Sequence, residues 1–166
     1  MPALDILTLL AHVALGTLAV VVGAIALASR KGRKTHVGAG RIFVVSMGLA
    51  SVLGALLGAI NYETFWITVH AGILGATLVT SGVLAVRIHA RRVKTWFITI
   101  AGLNFLNAAG LVTAGCYATT LPDARFFGFA AEDYFFLFAM AAIAFCFDVR
   151  MILVTRISNN HRIAQH

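Results

Sequence analysis

The chain has 166 residues, of which 60% are apolar and only 11% are charged. A soluble domain devotes about a quarter of its residues to charge, so this composition excludes an ordinary soluble protein and indicates a membrane protein. The net charge of +7 does not indicate nucleic acid as a partner, because the basic residues lie at the borders of apolar stretches.

Five apolar stretches follow one another along the chain, at roughly residues 5–28, 41–61, 66–87, 95–118 and 133–154. A bilayer core about 30 Å thick requires about 20 such residues per helix, and no stretch alternates as barrel strands do. The chain starts without the basic region of a signal peptide, so we expect the first stretch to be a membrane helix. We therefore predict an all-α membrane protein of about five helices, forming a single transmembrane domain over residues 1–166.

The charges predict an orientation for these helices. Threading the chain back and forth places twelve of the thirteen basic residues on one side of the membrane. The other side receives Arg125 and most of the acidic residues, which are Asp5, Glu63, Asp123, Glu132 and Asp133. The positive-inside rule then places the amino terminus outside and the carboxyl terminus in the cytoplasm.

A pattern of one histidine and two glycines, followed by a basic cluster, occurs twice, as His12, Gly16 and Gly23 and as His70, Gly75 and Gly82. Two parallel repeats predict a pseudo-two-fold axis along the membrane normal. We expect helices 1–4 to form a bundle of two related hairpins, at about 5–62 and 64–118, with a fifth helix at about 132–155. Chance recurrence of glycine is the alternative. Gly54 and Gly58 also form a G-x-x-x-G pair, which favours close helix packing.

His12 and His70 would then lie at one depth, about 7–10 Å below the outer edge of the hydrocarbon. Ionisable groups at such a depth are costly and are candidates for function. Two histidines on different helices of a bundle can ligate a haem iron axially, and Gly16 and Gly75 would leave room for the macrocycle. The alternative is that each imidazole forms a hydrogen bond across helices, to a backbone carbonyl or a hydroxyl.

Three functions remain open from the sequence. The first is a bis-histidine haem b protein that passes electrons between a quinol and an acceptor at the outer face. The second is a metal-binding or transport protein in which His12, His70 and Cys116 hold copper, zinc or iron, since a thiolate with imidazoles suits copper or zinc. The third is a non-catalytic accessory or assembly subunit of a membrane complex. An enzymatic activity is neither indicated nor excluded, and a homo-oligomer is equally open.

Asp148 lies near the inner end of the fifth stretch. We expect a lone carboxylate there to pair with a cation. The long side chain of Arg41, Arg87 or Arg150 could reach it by snorkelling. An anchoring ion pair is the simplest role for Asp148, and carrying a proton is the alternative.

Asn104 and Asn107 lie one turn apart in the fourth stretch. We expect them to join helices by hydrogen bonds, or alternatively to bind a quinone or the edge of a haem. His36 and His89 fall among basic residues at the inner ends of the helices, where we expect contact with water or lipid headgroups.

The segment from His12 to Met47 reads H-x-x-x-G, then a basic loop, then His36-x-Gly38-x-Gly40-Arg41. It resembles a family of small bacterial membrane proteins of unknown function, whose first helix carries a histidine and whose first loop reads H-R-x-x-G-R. Val37 stands where that family has arginine. The resemblance covers the first two helices and implies a multi-pass protein of the bacterial inner membrane with no established activity. The histidine-bearing hairpins also look like those of small b-type cytochromes in architecture.

Overall fold

A computed structural model describes residues 3–86 and 93–163 of the chain. The helices are α1 (Ala3–Ala28), α2 (Lys34–Ile60), α3 (Tyr62–Val86), α4 (Val93–Thr119) and α5 (Ala131–Ile163). All five are long and apolar enough to cross a membrane. The prediction of a small, all-α, multi-pass membrane protein with five helices is thus confirmed.

The helices extend beyond the apolar stretches that predicted them. α2 begins at Lys34 rather than near residue 41, and α5 continues to Ile163 rather than ending near residue 155. Arginine and lysine are good helix formers, so a helix can continue into the polar region at either side of the bilayer. Hydropathy marks only the part that crosses the hydrocarbon.

The turn between α1 and α2 is closed by His36. The Nδ1–H of His36 donates to the carbonyl oxygen of Ala26 at 2.9 Å. Ala26 lies in the last turn of α1, where helix carbonyls lack intrahelical partners. Gly32, with φ of +83°, provides the left-handed residue that the turn requires. His36 therefore has a structural role in the turn, whereas His89 lies outside the described residues.

Close approach of α2 and α3 depends on glycine. A Cβ at Gly58 would lie 2.7 Å from the backbone of Phe65 and Val69, and one at Gly72 would lie 2.6 Å from the carbonyl oxygen of Ser51. Only Asn61 separates the two helices, and α3 has a kink at Phe65. Small residues thus allow the backbones to touch, as expected of helices in lipid.

The chain forms two compact units, Met1–Val79 and Thr80–His166, whose boundary lies within α3. The first unit contains α1, α2 and most of α3, and the second contains the end of α3 with α4 and α5. Small and branched apolar residues fill the core of the first unit, and the largest buried side chains of the second are Phe97, Leu111 and Tyr134. The predicted repeat and the orientation of the termini stay predictions.

A short hairpin connects α4 to α5. Strands β1 (Arg125–Phe126) and β2 (Phe129–Ala130) pair antiparallel around Phe127 and Gly128, which both have positive φ, as in a type I′ turn. The hydroxyl of Tyr134 donates to the carbonyl oxygen of Phe126 at 2.7 Å. The hairpin is therefore attached to the first turn of α5.

Candidate functional site

His12 is held by α2 in the first unit. Its Nδ1 lies 2.8 Å from the carbonyl oxygen of Ala50, and a Cβ at Gly54 would lie only 2.9 Å from its Cε1. A carbonyl oxygen can only accept a hydrogen bond, so Nδ1 carries the hydrogen. In the neutral imidazole, Nε2 then has the free electron pair, which is the arrangement common among metal-ligating histidines.

A recess of about 100 Å³ adjoins this imidazole, next to the kink of α3 at Phe65. It is lined by Leu9, His12, Gly54, Leu57, Phe65 and Thr68. Pockets for drug-sized ligands measure about 300–1,000 Å³. The recess is therefore too small for a flat macrocycle unless the helices move apart, although a single ion would fit.

His70 occupies another face of its helix. Thr68 and Gly72 contact or approach α2, and His70 lies about 200° around the helix from each of them. Its ring stacks edge-to-face on Trp66, with centroids 5.4 Å apart. This arrangement does not favour a common ligand for His12 and His70. Such a ligand stays a prediction from the sequence.

The two glycines that were predicted to make room for a haem differ in their surroundings. A Cβ at Gly16 would meet no atom within 4 Å, whereas one at Gly75 would collide with the hydroxyl of Ser51. The close packing of α2 and α3 within the first unit therefore accounts for a glycine at position 75. The role of Gly16 stays a prediction.

The predicted third metal ligand, Cys116, is exposed on α4 in the second unit. Within the described parts of the chain, no group of three or more His, Cys, Asp and Glu side chains could hold a metal ion. Among these residues, each unit taken by itself therefore offers fewer than three such ligands at one place. Ligation by Cys116 stays a prediction.

Asp148 is the centre of a polar cluster within the second unit. Its carboxylate is only 2% exposed, although it lies inside the membrane span Ala131–Leu153 of α5. The hydroxyl of Ser81 on α3 donates to Oδ1 at 2.6 Å, and Nδ2 of Asn104 on α4 donates to Oδ2 at 2.7 Å. Side chains from three helices thus meet at one carboxylate.

The two donors orient the carboxylate without neutralising it. Asn104 is fully buried. It joins helices by a hydrogen bond, as expected from the sequence, and its partner on α5 is Asp148. Ser81 was missed, because a serine in an apolar helix gives no indication of what it faces. Each carboxylate oxygen has further electron pairs with which to accept hydrogen bonds.

A recess of about 500 Å³ adjoins the carboxylate. Ser81, Gly82 and Ala85 of α3, Phe97 of α4, and Phe147, Asp148, Arg150 and Met151 of α5 line it. Its volume is within the range of small-molecule sites, about 300–1,000 Å³. A carboxylate and a guanidinium group in a mostly apolar wall fit the usual composition of a ligand pocket, which has an apolar lining and a few polar groups.

The structure does not show which of the three predicted arginines pairs with Asp148. Arg150 lines the same recess, but the partners seen for the carboxylate among the described side chains are Ser81 and Asn104. Arg41 belongs to the first unit, and Arg87 lies outside the described residues. Pairing with either of these arginines stays a prediction.

No protein-family model matches the chain, and no match occurs among curated proteins or solved structures. The resemblance of the first two helices to a bacterial membrane family stays an expectation.

Proposed function

We propose that this small integral membrane protein binds a small organic cation at Asp148. The supporting observation is a carboxylate that is 2% exposed inside a membrane span, held by two neutral donors beside a recess of about 500 Å³. Charges attract each other more strongly where the dielectric constant is low. Ionisable residues within membrane helices mark pathways or sites for ions and substrates.

The size of the recess favours an organic cation over a metal ion. Hard metal ions take six or more oxygen ligands, several of them carboxylates. Within the described residues, Asp148 belongs to no group of three or more His, Cys, Asp and Glu side chains that could hold a metal ion. An ammonium group has three donors for oxygen acceptors, and its carbon chain would contact the apolar wall formed by Phe97, Phe147 and Met151.

Binding of ethylamine, which is an ammonium ion at neutral pH, tests this proposal. The full chain in lipid nanodiscs should bind radiolabelled ethylamine saturably in equilibrium dialysis, and Asp148→Asn should weaken this binding at least about 10-fold. Asp133→Asn is the matched control, because Asp133 is exposed in the first turn of the same helix and bonds the amide of Ala130. Equal binding by wild type and Asp148→Asn would contradict the proposal.

A loss of folding has to be separated from a loss of binding. Ser81→Ala retains the charge of Asp148 and removes one donor to Oδ1. We expect it to weaken ethylamine binding less than Asp148→Asn does, with an unchanged far-UV circular dichroism spectrum.

A second candidate function rests on His12. With Nδ1–H bonded to Ala50, Nε2 is oriented as a ligand for copper, zinc or iron, or for the iron of haem b in electron transfer from quinol to an outer acceptor. The small recess favours a single ion over haem. Ligation of the same metal by His70 or by Cys116 stays a prediction from the sequence.

Metal analysis and an absorption spectrum of protein from haem-replete cells test this second candidate. His12→Ala should remove a stoichiometric metal or a Soret band, and His36→Ala is the control, since His36 also bonds a carbonyl through Nδ1. Protein that contains neither a bound metal nor haem would exclude both the metal site and the haem site, and would favour an accessory subunit of a membrane complex.

A further inference from the structure

We infer that the ligand of the recess at Asp148 is a zwitterion, which carries an anionic group for Arg150 beside the ammonium group for Asp148. This inference rests on the proposed function and specifies its ligand. Both charged side chains line the same recess. The recess is thus lined by one buried acidic side chain and one exposed basic side chain.

The guanidinium group of Arg150 suits a phosphate or a carboxylate. Arg150 is exposed, in contrast to Asp148, and lies about 3 Å further along the axis of α5. A guanidinium group offers five N–H donors in a planar arrangement that matches two oxygens of an anion. Its long side chain can reach the recess from a helix face different from that of Asp148.

An internal ion pair is the competing explanation for Arg150. The carboxylate accepts from Ser81 and Asn104 at 2.6 and 2.7 Å, and these are the partners seen for it among the described side chains. If Arg150 served only to neutralise Asp148, removing its charge would make the carboxylate more available and strengthen binding of a simple ammonium ion. The zwitterion inference predicts that loss of the Arg150 charge weakens binding of a zwitterion, whereas an internal ion pair predicts that it strengthens this binding.

The position of the recess is compatible with two sources of such a ligand. Asp148 lies six residues before residue 154, where the fifth apolar stretch of the sequence ends, or about 9 Å along the helix, which is close to the headgroup region. An aminoalkyl phosphate occurs both as a lipid headgroup and as a free soluble molecule. The shared chemistry is a primary ammonium group near a phosphate.

Comparison of two soluble probes tests the inference. The full chain in phosphatidylglycerol nanodiscs should bind phosphoethanolamine at least about 10-fold more tightly than ethylamine. Arg150→Gln should remove this difference by weakening phosphoethanolamine binding at least about 10-fold. Lys31→Gln is the control, since Lys31 is exposed in the α1–α2 turn.

The failures of the two proposals are distinguishable. Ethylamine binding that depends on Asp148, with no preference for phosphoethanolamine, overturns the zwitterion inference and keeps the proposed function. An Arg150→Gln variant that binds phosphoethanolamine as tightly as wild type, or more tightly, also overturns the inference, in favour of an internal ion pair. Failure of both probes to bind overturns both proposals.

The source of the zwitterion is decided with lipids. Nanodiscs that contain phosphatidylethanolamine or its trimethylated analogue phosphatidylcholine are compared by native mass spectrometry. Selective retention of phosphatidylethanolamine by wild type, lost in Arg150→Gln, supports a lipid headgroup. Binding of free phosphoethanolamine without lipid retention supports a soluble ligand, and equal retention of both lipids together with no binding of phosphoethanolamine contradicts the inference.

Discussion

Two ionisable side chains inside the membrane are held by different kinds of partner. His12 donates to a backbone carbonyl of the neighbouring helix, so that its orientation is fixed by this hydrogen bond and by contact with Gly54. Asp148 accepts from two side chains on two other helices. Because an unsatisfied polar group is costly where water is scarce, each arrangement contributes to stability as well as to any binding function.

Removal of Asn104 should leave one carboxylate oxygen of Asp148 without its donor. We expect Asn104→Leu to lower the free energy of unfolding by about 1–3 kcal/mol, measured by thermal or detergent-induced unfolding in micelles. Thr113→Val is the control on the same helix, because the exposed Thr113 hydroxyl bonds only its own helix, at the carbonyl of Ala109. Equal effects of both substitutions would show that the bond to Asp148 contributes nothing.

Ala124 has φ of +52°, a left-handed conformation that is unfavourable for residues with a Cβ. Its side chain is exposed, so that glycine would lose no packing there. Ala124→Gly should therefore raise the free energy of unfolding by about 0.5–1 kcal/mol. Gly128→Ala, at φ of +77°, should lower it, and a stabilising Gly128→Ala would refute this explanation of the turn.

At the scale of the helices, the seam between α2 and α3 depends on backbone contact. Gly72→Ala would place a Cβ 2.6 Å from the carbonyl oxygen of Ser51 and 2.7 Å from the amide nitrogen of Ala55. Backbone atoms cannot give way as side chains do, so the two helices would have to separate. We expect a loss of about 1–3 kcal/mol in unfolding free energy.

Gly48→Ala provides the control for this seam. A Cβ at Gly48, on α2, would meet no atom within 4 Å, and alanine favours a helix by up to about 1 kcal/mol relative to glycine. The same unfolding assay should therefore show Gly48→Ala as neutral or stabilising. If the two variants lost the same stability, close packing at Gly72 would not be the cause.

At the scale of the whole molecule, the number of helices could be predicted from the sequence, whereas the contacts between their side chains could not. Five helices follow from the length of the apolar stretches, because the thickness of the bilayer is the same for all of them. The cluster of Ser81, Asn104 and Asp148 could not be predicted, since it depends on the rotation of three helices about their axes. The close approach of Gly54 to His12 depends on the same rotations.

The orientation of the chain in the membrane stays a prediction of its charges. Single cysteines at Lys31 and Asp123, in a chain without Cys116 and Cys146, test it with a membrane-impermeant maleimide, since both positions are exposed. Asp123→Cys should react in intact cells, and Lys31→Cys only after the cells are lysed. The reverse pattern would place the amino terminus in the cytoplasm.

The central claim is that an ammonium group binds against the carboxylate of Asp148. Solid-state NMR tests it most directly, with ¹⁵N-labelled ethylamine and aspartate labelled with ¹³C at the carboxyl carbon. We predict a dipolar coupling between the two labels that corresponds to a separation of about 3–4 Å and is absent from Asp148→Asn. Bound ethylamine with no such coupling, or a coupling that persists in Asp148→Asn, would contradict the claim.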